Sequence, residues 1–316
     1  MWRRALVWAA VVPGAVWAVF RLIGWDDRYP TTQLMAFTPY VALGALVLVP
    51  VVAWTRRWGA TAVAAVTAVA LVACVLPRAF TDSDPQAGAT GLDLRVATSN
   101  VYAGRADPAE IIRLARVHRV DLLAVQEMTD DWLARADAAG IGDVFAYRYV
   151  AIDAGQDGSA LFSRYELRDG ATRRVGDSWF RQAHADLVLP GGVTVAVESV
   201  HAASPYSAEM VGYWRASYRD EPPATPDGRL RVLLGDFNAT LDHAPVRRLV
   251  DTGYRDAAEV TGDGFVGTWG PYDGDLLPPV TIDHVLADRR IGVRDCHVFG
   301  LPGGDHRMLL AELVLP

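Results

Sequence analysis

The sequence has 316 residues, of which 51% are hydrophobic, and its 30 arginines (it has no lysine) and 37 acidic residues give a formal net charge of −7. This length allows one or two domains, the composition excludes an intrinsically disordered chain, and two cysteines are too few for a disulfide framework. Residues 1–80 carry seven arginines and two aspartates, a net charge of +5, so the rest carries −12 and lacks the broad positive surface with which proteins grip nucleic acid.

Three long apolar stretches open the chain, at residues 5–25, 34–54 and 58–76. Each has about the 20 residues that a helix needs to cross the hydrocarbon core of a bilayer. Tryptophans lie at their ends, where the membrane interface favours them, and Arg21 is expected to extend toward that interface. We therefore predict a membrane anchor of three transmembrane helices within residues 1–80.

Positive charges flank these stretches unequally. Arg3 and Arg4 precede the first stretch and Arg56 and Arg57 separate the second from the third, whereas the loop after the first has two aspartates and one arginine. Because cytoplasmic loops are enriched in basic residues, we predict a cytoplasmic N-terminus and, after three crossings, an extracytoplasmic remainder. A cleaved signal peptide is the alternative for the first stretch and would change the topology by one crossing.

The remainder reads as a linker followed by one α/β domain. Residues 81–91 are small and polar and are interrupted by proline and glycine, which is typical of a linker. From residue 92 to residue 316, short strand-like runs outnumber helical patterns and often follow one another. This order favours a mixed two-sheet core with helices outside it over a doubly wound parallel sheet.

Polar side chains recur where the predicted strands end. They are Asn100, Glu127, His201, Asp236, Asn238, Asp283, Asp305 and His306. Taken singly, several have ordinary structural explanations: asparagine forms turns, a glutamate stabilises the start of the next helix, and a lone histidine is more often structural than catalytic. Their recurrence at one kind of position favours a shared cleft.

The strongest local pattern is Gly-Asp-Phe-Asn at residues 235–238, directly after an apolar strand. Side chains two residues apart in an extended chain point to the same side, so Asp236 and Asn238 are predicted to face one cleft.

Two later motifs are less decisive. Alternation sends Asp283 and His284 to opposite faces of a strand, so only one of them enters the cleft. Asp305 and His306 follow two glycines, which fits either a polar turn or metal-assisted hydrolysis. The remaining histidines have no supporting spacing and are predicted to be exposed or structural: His118, His184, His243 and His297.

In this order, the motifs resemble the endonuclease/exonuclease/phosphatase superfamily, which contains DNase I, abasic-site endonucleases, inositol polyphosphate 5-phosphatases and neutral sphingomyelinases. The matching motifs are Asn100, Gln126-Glu127, His201, Gly235-Asp236-Phe237-Asn238, Thr268-Trp269, Ile282-Asp283-His284 and Asp305-His306. The resemblance covers residues 92–316. It implies a four-layer α/β sandwich and a divalent metal, usually Mg²⁺, with Mn²⁺ as an alternative.

The resemblance also implies roles for the metal-side residues. Glu127 would be the principal metal ligand, Asn100 would help to position the metal and the phosphate, and Asp305 would support the metal or the water. Asp236 would orient or deprotonate the attacking water, and Asn238 would hold a phosphate oxygen.

Two histidines complete the implied site. His306 would act on the phosphate or as a base, with Asp283 as its carboxylate partner, and His201 would act as an acid or stabilise the transition state at the substrate. The chain departs from the family pattern at Gly304, where the family usually has serine, and at Tyr102, where some DNA-repair members have aspartate. The second departure argues against an abasic-site endonuclease.

The predicted function is therefore a membrane-tethered, Mg²⁺-dependent phosphoesterase that acts on phosphodiester or phosphomonoester bonds outside the cytoplasmic membrane. The anchor and the acidic remainder favour a lipid headgroup or a small phosphoester, whereas the family by itself favours nucleic acid. The alternative is a catalytically inactive exported binding or scaffold domain, against which the full set of acidic residues argues. No protein partner is predicted.

Overall fold

The computed structural model describes residues 2–82, 90–152, 157–174, 180–271 and 276–316. Two parts of the chain differ in architecture. Residues 2–79 form a helical unit, and the chain from residue 93 onward forms a two-sheet unit, which we term the α/β domain. Residues 83–89 of the predicted linker lie outside the described residues. The described start of the linker is attached to the α/β domain, since the Asp82 amide donates to the Val260 carbonyl at 2.8 Å.

Four helices make up the described helical unit. They are α1 (Trp2–Ile23), α2 (Thr31–Met35), α3 (Thr38–Trp54) and α4 (Trp58–Val75), with a 3₁₀ turn at Leu76–Ala79 after α4. By length and hydropathy, the segments Trp2–Ile23 and Trp58–Ala79 are long enough to cross a membrane, with 22 residues each.

The predicted second span, residues 34–54, is divided. Helix α2 ends at Met35 and α3 begins at Thr38, which leaves α3 with 17 residues. Pro39 explains the break, because within a continuous helix its ring would clash with the carbonyl of Met35. The first and third of the three predicted spans are therefore helices long enough to cross a membrane, whereas the second, α3, is a shorter apolar helix.

The three long helices pack in alternating directions. Near the start of α1, Val11 packs with Val52 of α3 and Ala60 of α4, and at the other end Ala18 packs with Ala42 and Leu71. The end of α1, the start of α3 and the end of α4 therefore lie at one end of the unit. The opposite end carries the arginine pairs that precede α1 and separate α3 from α4.

A buried charge cluster attaches this unit to the α/β domain. The Arg21 Nε donates to Asp242 Oδ1 at 2.8 Å, and Arg78 donates to both oxygens of the same carboxylate at 2.7 and 2.9 Å. All three side chains are at most 8% exposed. Arg21, which was expected to extend toward the membrane interface, instead has a protein partner, because its guanidinium group pairs with a carboxylate 221 residues away in the chain. We term these three residues the Asp242 clamp.

Further hydrogen bonds extend the same interface. His243 donates from Nε2 to the Thr32 carbonyl at 2.7 Å, and Tyr40 of α3 donates to the Pro279 carbonyl at 2.6 Å. The Ala244 amide at the start of a helix of the α/β domain donates to the carboxylate of Asp26. His243 is thus structural, as predicted, and it serves the junction between the two units.

Among the described residues, two six-stranded mixed sheets form the α/β domain. In spatial order, the first contains β11 (Gly292–Phe299), β12 (Met308–Val314), β1 (Asp93–Asn100), β2 (Leu122–Met128), β4 (Gly158–Ser163) and β3 (Tyr147–Ala151). The second contains β5 (Glu166–Arg174), β6 (Arg181–Val188), β7 (Thr194–His201), β8 (Arg231–Asp236), β10 (Asp283–Asp288) and β9 (Tyr254–Asp256). Within each sheet one pair, β1–β2 or β7–β8, is parallel.

Helices cover both outer faces of the paired sheets. They are α5 (Pro108–Val117) and α6 (Asp130–Ala138) over the first sheet, and α7 (Ala208–Arg219) and α8 (Ala244–Asp251) over the second. A further short helix, α9 (Ala257–Thr261), packs its buried side chains into the core between the sheets. Val96 and Leu161 of the first sheet pack against Val197 and Val232 of the second, so the main core lies between the sheets. The outer layers bury Trp132 of α6 and Trp214 of α7. The predicted four-layer α/β sandwich is confirmed.

Candidate active site

The candidate site lies at one edge of both sheets, where the parallel strands end. Asn100 ends β1 beside Gln126 of β2, and His201 ends β7 beside Asp236 of β8. The side chain of Gln126 donates to Ser199 Oγ at 2.8 Å and so joins the two sheets just below this edge. Parallel strands present their carboxyl ends at the same edge, which explains why residues far apart in the chain meet here.

A glycine allows the close approach of β7 and β8 at this edge. Gly235 has a φ of 156°, and a Cβ at this position would lie 2.0 Å from the Val200 carbonyl oxygen. No side chain can be accommodated at that distance without moving a strand. The glycine of the Gly-Asp-Phe-Asn motif therefore sets the spacing that places His201 beside Asp236.

Asn100 connects the two halves of the site. Its Nδ2 donates to Glu127 Oε1 at 2.9 Å and to Asp236 Oδ2 at 3.0 Å, and its Oδ1 accepts from the Tyr102 amide at 2.9 Å. The turn-forming role and the site role of Asn100 are thus both observed. The second oxygen of Glu127 accepts from the Ala103 amide at 2.8 Å, so this carboxylate is held from two directions.

Asp236 and Asn238 face the same side, as the spacing predicts. Asp236 Oδ1 accepts from the Asn238 amide at 2.8 Å. The Asn238 side chain donates to the Ala202 carbonyl at 2.9 Å and to Asp236 Oδ2 at 3.2 Å. Burial raises the pKa of Asp236 to about 7; His306 opposes this shift and the Asp283 carboxylate adds to it.

A buried carboxylate–imidazole pair lies next to Asp236. His306 donates from Nδ1 to Asp283 Oδ2 at 2.8 Å, and its Nε2 lies 3.7 Å from Asp236 Oδ2. Burial lowers the pKa of His306, but the carboxylates of Asp283 and Asp236 outweigh burial and raise it to about 10. The backbone amide of Asp283 donates to Thr268 Oγ1 at 3.0 Å, which gives the predicted Thr-Trp motif a positioning role.

His201 closes the other side of the site. Its Nε2 lies 3.8 Å from Glu127 Oε1, its ring meets the edge of Phe180 at 4.8 Å, and its amide donates to Gln182 Oε1 at 2.8 Å. Burial is the largest influence on the pKa of His201 and lowers it, so the neutral imidazole is favoured.

The side chains form two overlapping groups of potential metal ligands. One contains Glu127, His201 and Asp236, and the other Asp236, Asp283 and His306, and within each group the ligand atoms lie within 4.8 Å of one another. Asp283 Oδ1 and His201 Nδ1 are buried without a hydrogen-bond partner among the described residues. Carboxylate oxygens suit a hard divalent cation, and a cation would offset the crowding of like charges. The donor set therefore fits a divalent metal.

Four members of these groups, Glu127, His201, Asp236 and His306, form part of the wall of a cavity of about 670 Å³, and Asp283 is connected to it through His306. Asp305 also contributes to this wall but belongs to neither group of potential ligands. The cavity has apolar walls as well, which include Phe180, Trp269, Leu277 and Ile282. Four residues of the helical unit complete it: Thr32, Gln33, Ala36 and Phe37.

Two residues at the site were not assigned a site role from the sequence. Asp157 lines the cavity near Glu127 and His201, and burial raises its pKa. It directly precedes β4, and an acidic residue at the end of a strand was a usable signal. Gln182, which accepts from the His201 amide, is the second residue of β6 and gives no such signal.

The structure also agrees with the predictions that Asp283 and His284 lie on opposite faces of a strand and that the remaining histidines are exposed or structural. His284 points away from the cleft, where it pairs with Asp256 Oδ2 at 2.7 Å and donates to the Ala239 carbonyl at 2.8 Å. Asp283, its neighbour, enters the cleft. Three other histidines, which do not line the cavity, are His118, His184 and His297.

Solved structures with the same fold include enzymes of different names. An endonuclease/exonuclease/phosphatase from Beutenbergia cavernae DSM 12333 is 19% identical, with a TM-score of 0.58 over 71% of this chain and 72% of that chain. An AP endonuclease from Archaeoglobus fulgidus is 16% identical, with a TM-score of 0.55 over 69% and 98%. The mannosyl-6-phosphatase Bt3783 from Bacteroides thetaiotaomicron VPI-5482 is 15% identical, with a TM-score of 0.54 over 70% and 100%.

At these identities, structural similarity shows a shared fold, and the sequence carries the family assignment. No curated protein matches the chain significantly. The sequence profile of the Endonuclease/Exonuclease/phosphatase family, however, matches residues 97–306, which is more than half of the chain and contains every residue of the candidate site. The chain therefore belongs to the endonuclease/exonuclease/phosphatase family.

Proposed function

We propose that the protein is a membrane-anchored, Mg²⁺-dependent phosphoesterase that hydrolyses phosphodiester or phosphomonoester bonds on the outer side of the cytoplasmic membrane. Members of its family are metal-dependent phosphoesterases and nucleases. The observation that carries the proposal is the position of Asp236, which two groups of potential metal ligands share within one cavity. Such convergence of titratable groups with shifted pKa values is typical of an active site.

The cation would be held on the Glu127 side of the site. Glu127 presents a carboxylate that Asn100 and the Ala103 amide orient, and Asp236 lies on the far side of the same Asn100 amide. Asp305, on the cavity wall, is the proposed outer support. When bound, Mg²⁺ or Mn²⁺ supplies Lewis-acid stabilisation of the negative charge on the phosphoester.

Asp236 is the proposed base. Its carboxyl group has a pKa of about 7, which suits proton transfer at neutral pH. Asn238 fixes this carboxylate through its backbone and side-chain N–H groups. The proposed contact of Asn238 with a phosphate oxygen requires one side-chain N–H to leave its present acceptor, Ala202 or Asp236.

The two histidines differ in protonation, and this separates their proposed roles. Because the pKa of His306 is about 10, its imidazolium is retained at neutral pH, and Asp283 fixes its orientation through Nδ1. Its Nε2–H is then free to donate to a phosphoryl oxygen. His201 is neutral, which favours stabilisation of the transition state by a hydrogen bond over the transfer of a proton to the leaving group.

The proposed location depends on the helical unit. We assign residues 1–80 to the anchor, residues 81–91 to the linker and residues 92–316 to the catalytic domain. In support, the ends of α1 and α4 and the start of α3 meet the catalytic domain, while Arg3, Arg4, Arg56 and Arg57 lie at the opposite end. Basic residues favour the cytoplasmic side, so the catalytic domain would be extracytoplasmic. Reporter fusions at the C-terminus should be active only outside, and a cytoplasmic signal would refute this topology.

The activity is tested with the full-length chain in a phosphate-free detergent. The substrates are plasmid DNA, sphingomyelin, a phosphoinositide, bis(p-nitrophenyl) phosphate and p-nitrophenyl phosphate, each with Mg²⁺ and with or without chelator. We expect hydrolysis that the chelator abolishes and that Asp236→Ala and His306→Ala each remove without a change in folding. His297→Ala, which changes an exposed histidine, is the matched control. Activity that survives both site substitutions refutes the site, and no activity on any substrate supports an inactive scaffold instead.

A further inference from the structure

The cavity at the candidate active site is lined by charged and polar side chains on one side and by apolar side chains on the other. Its floor carries Glu127, His201, Asp236 and His306, while the helical unit contributes Ala36 and Phe37 to its wall. None of the described residues that line this cavity is an arginine. A nucleic-acid strand would need basic side chains along its backbone, so the lining does not suit a polynucleotide.

A second cavity, of about 350 Å³, adjoins the first. The two share Ala36 and Val280 in their linings, and the second extends along Pro39, Tyr40 and Leu43 of the helical unit. Its lining also contains charged side chains that pair with each other, namely Arg78 with Asp242 and His284 with Asp256. Together the two cavities form a groove between the helical unit and the catalytic domain. We term the part lined by Leu43, which is 61% exposed, the outer end of the groove.

The surface around the outer end of this groove is apolar. Phe265 and the adjacent Val266 are each 42% exposed. Phe265 also lines the second cavity together with Leu43. Exposed apolar side chains of this size, adjacent to an apolar helix, indicate contact with something other than water. In the proposed topology that surface meets the lipid headgroups and the upper part of the acyl chains.

From this arrangement we infer that the substrate is a membrane lipid phosphoester, whose phosphate reaches the acidic floor while its acyl chain lies in the groove that α3 and the catalytic domain build together. The inference rests on the proposed function and names its substrate class. The floor suits a phosphate group through a bound cation, and the groove suits an apolar chain. Its outer end is continuous with the apolar surface of α3, so a lipid can enter without leaving the bilayer.

Competitive inhibition tests the groove independently of the headgroup that the enzyme cleaves. The assay follows the hydrolysis of bis(p-nitrophenyl) phosphate by the full-length protein in dodecyl maltoside. Dipalmitoyl phosphatidic acid, dioctanoyl phosphatidic acid and glycerol phosphate are added as inhibitors. We expect the inhibition constant to fall by at least about tenfold from glycerol phosphate to the dioctanoyl lipid, and to fall again for the dipalmitoyl lipid, because each chain buries apolar surface. Inhibition that is independent of chain length, or a short oligonucleotide that inhibits better than either lipid, overturns the inference.

A substitution at the junction of the two cavities sharpens the test. Ala36→Phe should narrow the passage and reduce the ratio of lipid to glycerol phosphate affinity by about tenfold. Leu46→Phe, on an exposed position of α3 that lines neither cavity, is the control and should leave that ratio unchanged. If Ala36→Phe does not fold, the chain-length series on the unmodified protein still decides the question.

The failure of the proposed function gives a different result. In that case, bis(p-nitrophenyl) phosphate is not hydrolysed in a chelator-sensitive manner. The same series of lipids is then measured by titration calorimetry with Mg²⁺, where loss of the chain-length dependence refutes the groove and its retention supports a lipid-binding site without catalysis.

Discussion

Asp236 and Asp242 lie six residues apart and are equally buried, yet their surroundings are opposite. Asp236 faces the Asp283 carboxylate and the His306 imidazole, and burial raises its pKa to about 7. At Asp242, burial also acts to raise the pKa, but the two guanidinium groups of the Asp242 clamp outweigh it and lower the pKa. Burial alone therefore does not identify a reactive aspartate. Charge compensation separates the carboxylate that can take up a proton or a cation from the one that holds two units together.

The largest expected effect is the loss of activity when Asp236, whose carboxylate lacks a paired guanidinium group, is substituted. Asp236→Asn should reduce hydrolysis by about 10³-fold or more, because it removes both a potential ligand and the proposed base. The free energy of unfolding should change by less than about 1 kcal/mol, because relief of a buried charge offsets the lost hydrogen bonds. Initial rates and thermal unfolding of the full-length protein measure the two quantities. A variant within tenfold of the original rate would contradict this assignment.

Substitution of Asp242, whose charge is paired, should instead reduce stability. Asp242→Asn leaves the guanidinium groups of Arg21 and Arg78 buried without a counter-charge, and such a loss costs about 3–5 kcal/mol. Thermal unfolding in detergent should show a large decrease in Tm, together with earlier proteolysis between the helical unit and the catalytic domain. Equal stability of this variant and the original chain would show that the clamp contributes nothing to attachment.

The pH dependence of stability should also differ in sign between the two aspartates. The pKa of Asp236 is raised on folding, so its contribution is present at low pH and is lost as the pH rises toward and through about 7. The pKa of Asp242 is lowered, so its contribution is present above the ordinary pKa of an aspartate and is lost as the pH falls below it. Unfolding of the metal-free protein, compared with each Asn variant across pH, separates the two. Parallel profiles would contradict the comparison.

A cation should compete with the proton at Asp236. Below about pH 7 the carboxyl group is protonated in the metal-free protein, so the affinity for Mg²⁺ should rise by up to about tenfold per pH unit and level off above it. Titration calorimetry at several pH values measures this slope and the proton released. A flat profile from acidic to neutral pH would exclude Asp236 as a group that ionises on binding.

The smallest effect is expected at the surface. Arg116 and Asp143 form an ion pair at 3.5 Å in which both side chains are more than half exposed. Asp143→Asn should change the free energy of unfolding by less than about 0.5 kcal/mol, because water and salt screen such pairs. This variant is the matched control for Asp242→Asn, and a comparable loss of Tm in both would show that the measurement does not report on burial.

Local periodicity was sufficient to predict much of the fold and of the site. An apolar strand followed by Gly-Asp-Phe-Asn placed Asp236 and Asn238 on one side, and alternation separated Asp283 from His284. These predictions succeeded because strand geometry depends on neighbouring residues. The break before α3 was also readable, since Pro39 is visible in the sequence, but the length of the apolar stretch concealed it.

Contacts between distant segments could not be predicted in the same way. Nothing in the spacing of Arg21 or Arg78 points to Asp242, which follows them by 221 and 164 residues and reads as part of a loop. The contribution of Phe37 to the cavity wall depends on that docking as well. Only the packing of the two units decides whether a charge in an apolar helix extends to solvent or finds a buried partner.

The two arginines and the aspartate of the clamp belong to different halves of the chain, so a cut near residue 80 would separate an anion from its cations. A truncated catalytic domain would carry a buried carboxylate, Asp242, without the two guanidinium groups that now pair with it. Transfer of this domain onto another tether would require either two cations at the same place or an uncharged side chain at position 242. We therefore expect the helices to support the folding of the domain that follows them, which an unrelated tether would not do.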